Sequence, residues 1–162
     1  MATSDDRRSA QLLNRLIALN IASEKGFNVA AENVKNRGLQ VMFKTYAQER
    51  AQFSRTLRAI VEAMDVEPVQ GSGLLAAVHR GWINIKAAMT IGQPATEKVV
   101  LAEVVRGERV AVRRYEDATQ QPMDAEMRET VARQHERVHE VCERTQELQL
   151  SLIHISEPTR PY

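Results

Sequence analysis

The chain has 162 residues, enough for one domain with a core of useful size, and its 22 basic and 21 acidic residues nearly cancel without forming a block of either sign, which argues against an electrostatic nucleic-acid binder. Seven glycines, five prolines and 4% aromatics, in a chain rich in Ala, Val, Leu, Glu and Arg, are the signature of an all-helical protein. A single cysteine, Cys142, excludes an internal disulfide and suits a reducing compartment.

The start, "MATSDDRRSA", mixes acidic and basic residues with no apolar stretch behind it. It is not a signal peptide, and residues 1–8 are expected to be disordered. No apolar run approaches the ~20 residues of a membrane span. The expectation is a cytoplasmic protein with neither a membrane nor a nucleic-acid partner.

The first predicted helix runs from about Ser9 to Val34, with an apolar stripe at Leu12, Leu16, Leu19, Phe27 and Ala30. Asn20 falls inside that stripe and Glu24 at its edge. The breakers "NRG" (Asn36 to Gly38) follow. The second helix, about Leu39 to Met64, carries Leu39, Met42, Phe43, Tyr46, Phe53, Leu57 and Ile60 on one face. Arg50 lies near the centre of this face and Glu49 at its edge, whereas Gln52 falls well off it. The stretch "ERAQ" thus imitates a Glu-x-x-His half-site with Gln52 in the His place, but Gln52 points away from the core.

"VEPVQGSG" (Val66 to Gly73) reads as a loop with Ser72 as a candidate cap. A middle helix is expected over "LLAAVHRGWINIKAAMT", with the stripe Leu75, Val78, Trp82, Ile85 and Met89 and with His79 beside it. It stops before "IGQP" (Ile91 to Pro94). The third long helix spans about Thr96 to Thr119, with Leu101, Val104, Val105, Ala111, Val112 and Tyr115 on its stripe and Glu108 near the centre. "QQPMD" makes the next turn, with Asp124 as N-cap. The fourth runs from about Ala125 to Leu148, on Met127, Val131, Val138, Val141, Cys142 and Leu148, and Gln134 lies within that stripe. Glu136 and His139 point outward.

The chain ends "LSLIHISEPTRPY". Leu150 to Arg160 resembles, residue for residue, the translation of a transposon-end adapter used in preparing sequencing libraries. Residues 150–162 are therefore expected to be a non-native tail, and the folded domain is expected over 9–149.

Short turns make the first two helices antiparallel, and likewise the last two. The middle helix, ~18 residues or roughly 27 Å long, is enough to return the chain to the far end of a bundle. The expected architecture is all-α: a ferritin-like four-helix bundle with one long crossover containing an extra helix. Folding the helices back at their turns places Glu24, Glu49, Arg50, Glu108 and Gln134 in one mid-bundle layer, with Asn20 about a turn away.

Two readings of that layer stand beside each other. In the first it is a neutralised polar network without a cofactor, Arg50 bridging Glu49 and Glu24 or Glu108 and Gln134 taking the remaining bonds. In the second, Glu24, Glu49 and Glu108, with His79 reaching in from the middle helix, hold iron or another divalent metal. A full di-iron site uses four carboxylates and two histidines, and this layer has three Glu and no inward His on the four long helices. An arginine inside the layer also repels a cation. No nucleophile–base pair, P-loop or dinucleotide fingerprint is present.

"EKGFNVAAENV" (Glu24 to Val34), "YAQERAQF" (Tyr46 to Phe53), "AVHRGWINIKAAMTIG" (Ala77 to Gly92) and "GERVAVRRYEDA" (Gly107 to Ala118) together resemble a bacterial ferritin-like family of four-helix bundles that carry a domain of unknown function. The resemblance covers about Ser9 to Leu148 and implies the bundle and a bacterial, cytoplasmic setting. It implies no reaction. Members often carry a His near the end of the fourth helix, where Cys142 stands here. The preferred expectation is a structural or stress-associated interaction protein, able to form a homo-oligomer, with a metal-binding oxidoreductase or iron handler as the alternative.

Overall fold

The computed structural model describes residues 1–66 and 97–156. These form four helices: α1 (Ser4–Glu32), α2 (Arg37–Ala63), α3 (Glu97–Thr119) and α4 (Ala125–Ser156), with no strand among the described residues. The expected middle helix, with His79 and Trp82, lies outside the described residues.

Local chemistry sets the helix ends. Residues 1–8 were expected to be disordered, yet α1 starts at Ser4. The reason is a capping box: Thr3 Oγ1 accepts from the Asp6 N–H at 3.1 Å, and Asp6 Oδ2 accepts from the Thr3 N–H at 2.7 Å. That second bond holds the Asp6 carboxyl below its usual range. Asn36 caps α2 by accepting from Leu39 N–H at 3.0 Å, and Asp124 caps α4 by accepting from Met127 N–H at 2.9 Å. After α2 the chain turns through Asp65 at φ 51°, a left-handed conformation that Asp tolerates. α4 continues past Leu148 to Ser156, and Leu152 packs on the core.

The helices pack as the pairs α1–α2, α3–α4, α1–α3 and α2–α4. Around the bundle the order is therefore α1, α2, α4, α3, which is not the order of a simple up-down-up-down chain. Directions follow from cross-links. Glu97, opening α3, accepts from the Lys35 and Asn36 N–H groups (3.2 and 2.7 Å) in the turn that closes α1. Hence α1 and α3 are antiparallel. Arg137 bonds Glu49, and Gln134 bonds the Phe53 carbonyl, so α2 and α4 are antiparallel too. It follows that α2 and α3 run parallel.

The apolar interior divides in two. One cluster gathers around Phe27, Phe43, Leu101 and Val141. The other gathers around Leu13, Leu57, Val131 and Val138. Asn20, Arg50 and Glu108, all buried, come between them in sequence on their respective helices, and the buried Gln134 stands on α4 between Val131 and Val138 of the second cluster. The bundle thus carries a polar layer at mid-height with a hydrophobic block on either side.

Candidate functional site

Arg50 is the largest fully buried side chain of the described residues, at 1% exposure. The α2 stripe carries it inward between Tyr46 and Ala47 on one side and Ser54 and Leu57 on the other. Its guanidinium carbon lies 5.8 Å from the ring centroids of both Phe27 and Phe53, the range of cation–π attraction. Nη2 donates to Glu108 Oε2 at 2.5 Å. Nε and Nη1 have no hydrogen-bond partner among the described residues. Burial pushes the Glu108 carboxyl up to about 7, with Arg50 offsetting only part of the rise.

A second chain of polar groups crosses the same layer. Asn20 Nδ2 donates to the Leu16 carbonyl at 2.8 Å and to Tyr115 Oη at 2.6 Å. The Tyr115 hydroxyl donates to Gln134 Oε1 at 2.8 Å, and Gln134 Nε2 reaches the Phe53 carbonyl at 3.4 Å. These bonds tie together all four helices. Burial raises the Tyr115 phenol to about 12, so the hydroxyl stays protonated and keeps its donor.

The structure divides the expected five-residue layer. Arg50 meets Glu108 but neither Glu49 nor Glu24. Gln134 joins Tyr115 and Asn20 rather than completing the shell of Arg50. Glu49 sits at the edge of the α2 stripe and turns to α4, where Arg137 grips it with two bonds, Nε to Oε2 at 3.1 Å and Nη2 to Oε1 at 2.8 Å. Arg137 also bonds Glu140 at 2.9 Å and lies 5.8 Å from the Tyr46 ring centroid. Glu24 faces the α1–α2 side, half-buried beside Lys44, Gln48 and Arg55. Gln52 is exposed and bonds Arg55 on its own helix.

Tyr115 and Arg137 were missed as polar participants. The Tyr115 ring satisfies the apolar stripe of its helix, although its position on the same inner face as Asn20 and Gln134 is a usable signal. Arg137 follows Gln134 by three positions, and its long stem lets it cross from the helix flank to Glu49.

The metal reading meets an unsuitable donor set here. The described residues hold no group of three or more His, Cys, Asp or Glu placed to share an ion. Glu108 alone of the three candidate carboxylates is fully buried, and a guanidinium already neutralises it. Arg50 Nε and Nη1, without a partner among the described residues, offer hydrogen-bond donors, which suit no cation. His79, the fourth candidate ligand, lies outside the described residues. Cys142 is buried, and desolvation raises its thiol, so it stays protonated and apolar in character. No helix of the described residues is long and apolar enough to cross a membrane.

The family described as Domain of unknown function (DUF2383) matches residues 9–121, and the chain belongs to that family. The matched span contains Asn20, Arg50, Glu108 and Tyr115, whereas Gln134 and Arg137 follow it. No curated protein matches the chain.

Proposed function

We propose that this member of the DUF2383 family is a ferritin-like bundle with a non-catalytic role, acting in the bacterial cytoplasm as a structural or stress-associated interaction protein. The helix order α1, α2, α4, α3 and the parallel α2 and α3 support the ferritin-like reading, because that architecture also needs one long return connection. The observation that carries the non-catalytic part is the Arg50–Glu108 pair. A permanent cation fills the centre of the layer where a metal-bearing bundle would converge its carboxylates. The remaining polar groups of the layer are amides and a phenol, which fix helix pairing but offer no activated nucleophile or base.

The test is an anaerobic titration with ferrous iron followed by exposure to oxygen, with bound metal quantified after gel filtration. The expected result is less than one iron per chain and no near-ultraviolet oxo band. Two tightly held irons with such a band would replace this reading with a di-iron oxidoreductase or iron handler.

A further inference from the structure

Helix α4 carries the sequence "HERVH", His135 to His139. Two histidines four apart on a helix stand one above the other on the same face, with Cβ atoms about 5–6 Å apart. That spacing lets two imidazole nitrogens reach one ion at about 2 Å each. The helix runs unbroken through this stretch. His135 is half-buried and the His139 side chain is 54% exposed, so an ion from solvent can reach the pair.

The setting favours a cation. At about 100° per residue, the face of α4 that holds His135 and His139 also holds Ala132, Glu136 and Glu143. Arg133, Arg137 and Arg144 lie well around the helix from it, and Arg137 is held there by Glu49 and Glu140. Glu143 Oε2 comes 3.8 Å from His139 Nδ1, an approach that a small rotation turns into a hydrogen bond. A carboxylate behind a ligating imidazole fixes its orientation and raises its basicity. With Glu143 on the Nδ1 side, Nε2 of His139 is left for an ion. Glu143 itself cannot share that ion with His135, because eight residues of helix separate them by about 12 Å.

The same five residues spell His-Glu-x-x-His, a pattern in which the glutamate can serve a zinc-bound water as general base. Hydrolysis needs a third protein ligand and a site closed to bulk water. Among the described residues no group of three or more His, Cys, Asp or Glu could hold an ion, and Glu136 is exposed. The chemistry left to the pair is binding.

We infer that His135 and His139 form a two-nitrogen surface site for one transition-metal dication of the nickel, copper and zinc class, with water in the remaining positions. Imidazole selects this class over magnesium and calcium, which take oxygen ligands. Ferrous iron stands lower in the affinity order, so the site is compatible with a bundle core that holds no iron. It is separate from the Arg50–Glu108 layer and follows the residues 9–121 that the family match covers.

The test is a calorimetric titration of the untagged chain with Ni²⁺ in the presence of excess Mg²⁺. The expected result is one nickel per chain. His135→Gln and His139→Gln are each expected to weaken binding about tenfold or more, because either leaves a single imidazole. Glu136→Gln is expected to leave the affinity unchanged. These substitutions fall on the open face of α4, and far-ultraviolet circular dichroism should stay helical. Independently of any variant, one equivalent of Cu²⁺ should give an electron paramagnetic resonance spectrum with the nitrogen splitting of two imidazoles. Absence of nickel binding overturns the inference, as does binding that survives either histidine substitution. So does a loss on Glu143→Gln with none on His135→Gln, which would move the ion to His139 and Glu143. One nickel per two chains, or binding abolished by His79→Gln, overturns it as well.

Discussion

Arg50 Nη2 and Glu108 Oε2 lie 2.5 Å apart with both side chains almost wholly removed from solvent. The pair joins two helices that run parallel and do not otherwise share a packed face. Its arrangement resembles a closed charge balance, with two phenyl rings covering the guanidinium. Removing one partner of such a pair leaves the other stranded. Arg50→Ala is expected to cost about 3–5 kcal/mol in urea unfolding, because it strands Glu108 and empties the space between Phe27 and Phe53. The double variant Arg50→Met, Glu108→Leu is expected to recover most of that loss, since apolar replacements of buried ion pairs are often neutral or stabilising. A double variant as unstable as Arg50→Ala would mean that the layer depends on its charges for more than mutual neutralisation.

The raised Glu108 carboxyl gives stability a definite pH dependence. Its folded value, about 7, lies above the ordinary 4.5. Between these values the folded state binds more protons than the unfolded chain. The contribution of Glu108 is therefore fully present below about pH 4.5 and is lost as pH rises through 7. A shift of this size corresponds to about 3 kcal/mol as an upper bound. Urea unfolding at pH 5 and pH 8 should show wild type losing more stability over that interval than Glu108→Gln does. Taking the difference cancels groups common to both proteins, such as Asp6. Parallel pH profiles for the two proteins would contradict the burial of an ionisable carboxylate.

Helical period explains what could be read in advance. Residues at the centre of an apolar stripe have apolar neighbours on both sides, so the buried positions of Arg50, Glu108 and Gln134 were legible one helix at a time. Glu24 and Glu49 sat at stripe edges, where a single step around the helix decides between core and flank. Their fate depended on neighbours from another helix: Arg137 drew Glu49 outward, and Glu24 found the α1–α2 flank. Tyr115 was hidden for a different reason. Its ring satisfies the apolar pattern, and its hydroxyl declares itself only once Asn20, far away in sequence, is folded against it. The start of α1 was missed because Asp6, rather than Glu or Gln, completes the capping box.

Tyr115 holds the second polar chain together, accepting from Asn20 and donating to Gln134. Tyr115→Phe keeps the ring packing and deletes only the hydroxyl. Gln134 Oε1 then loses the donor that this hydroxyl supplies in a fully buried setting, and Asn20 keeps only its bond to Leu16. The expected cost is about 1–3 kcal/mol, with the helical content unchanged. Adding Gln134→Leu to Tyr115→Phe should cost less than the sum of the separate changes, because both remove the same bond. Additive losses would argue that Gln134 is held by Phe53 alone.

Residues 150–162 contribute one described core contact, from Leu152. A chain ending at residue 149 retains every residue of the polar layer and the Asp124 cap. Its unfolding midpoint in urea is expected to correspond to a loss of about 1 kcal/mol, the order of half-burying one leucine. Its iron content should equal that of the full chain. A loss of several kcal/mol would show that the end of α4 belongs to the folding unit and would count against an adventitious tail.

Glu49 and Arg137 connect α2 to α4 from the flank of the bundle, where both remain partly open to water. Two parallel bonds and the Tyr46 ring beneath give this ion pair better geometry than most surface pairs. Solvent still screens it, so the coupling in a double-mutant cycle of Glu49→Gln and Arg137→Gln should be about 0.5–1 kcal/mol at low salt. It should weaken as sodium chloride is raised. The Arg50–Glu108 pair is shielded from ions, and the corresponding cycle should be insensitive to the same salt. A salt response shared by both cycles would place Arg50 within reach of solvent and remove the basis for treating it as the fixed centre of the layer.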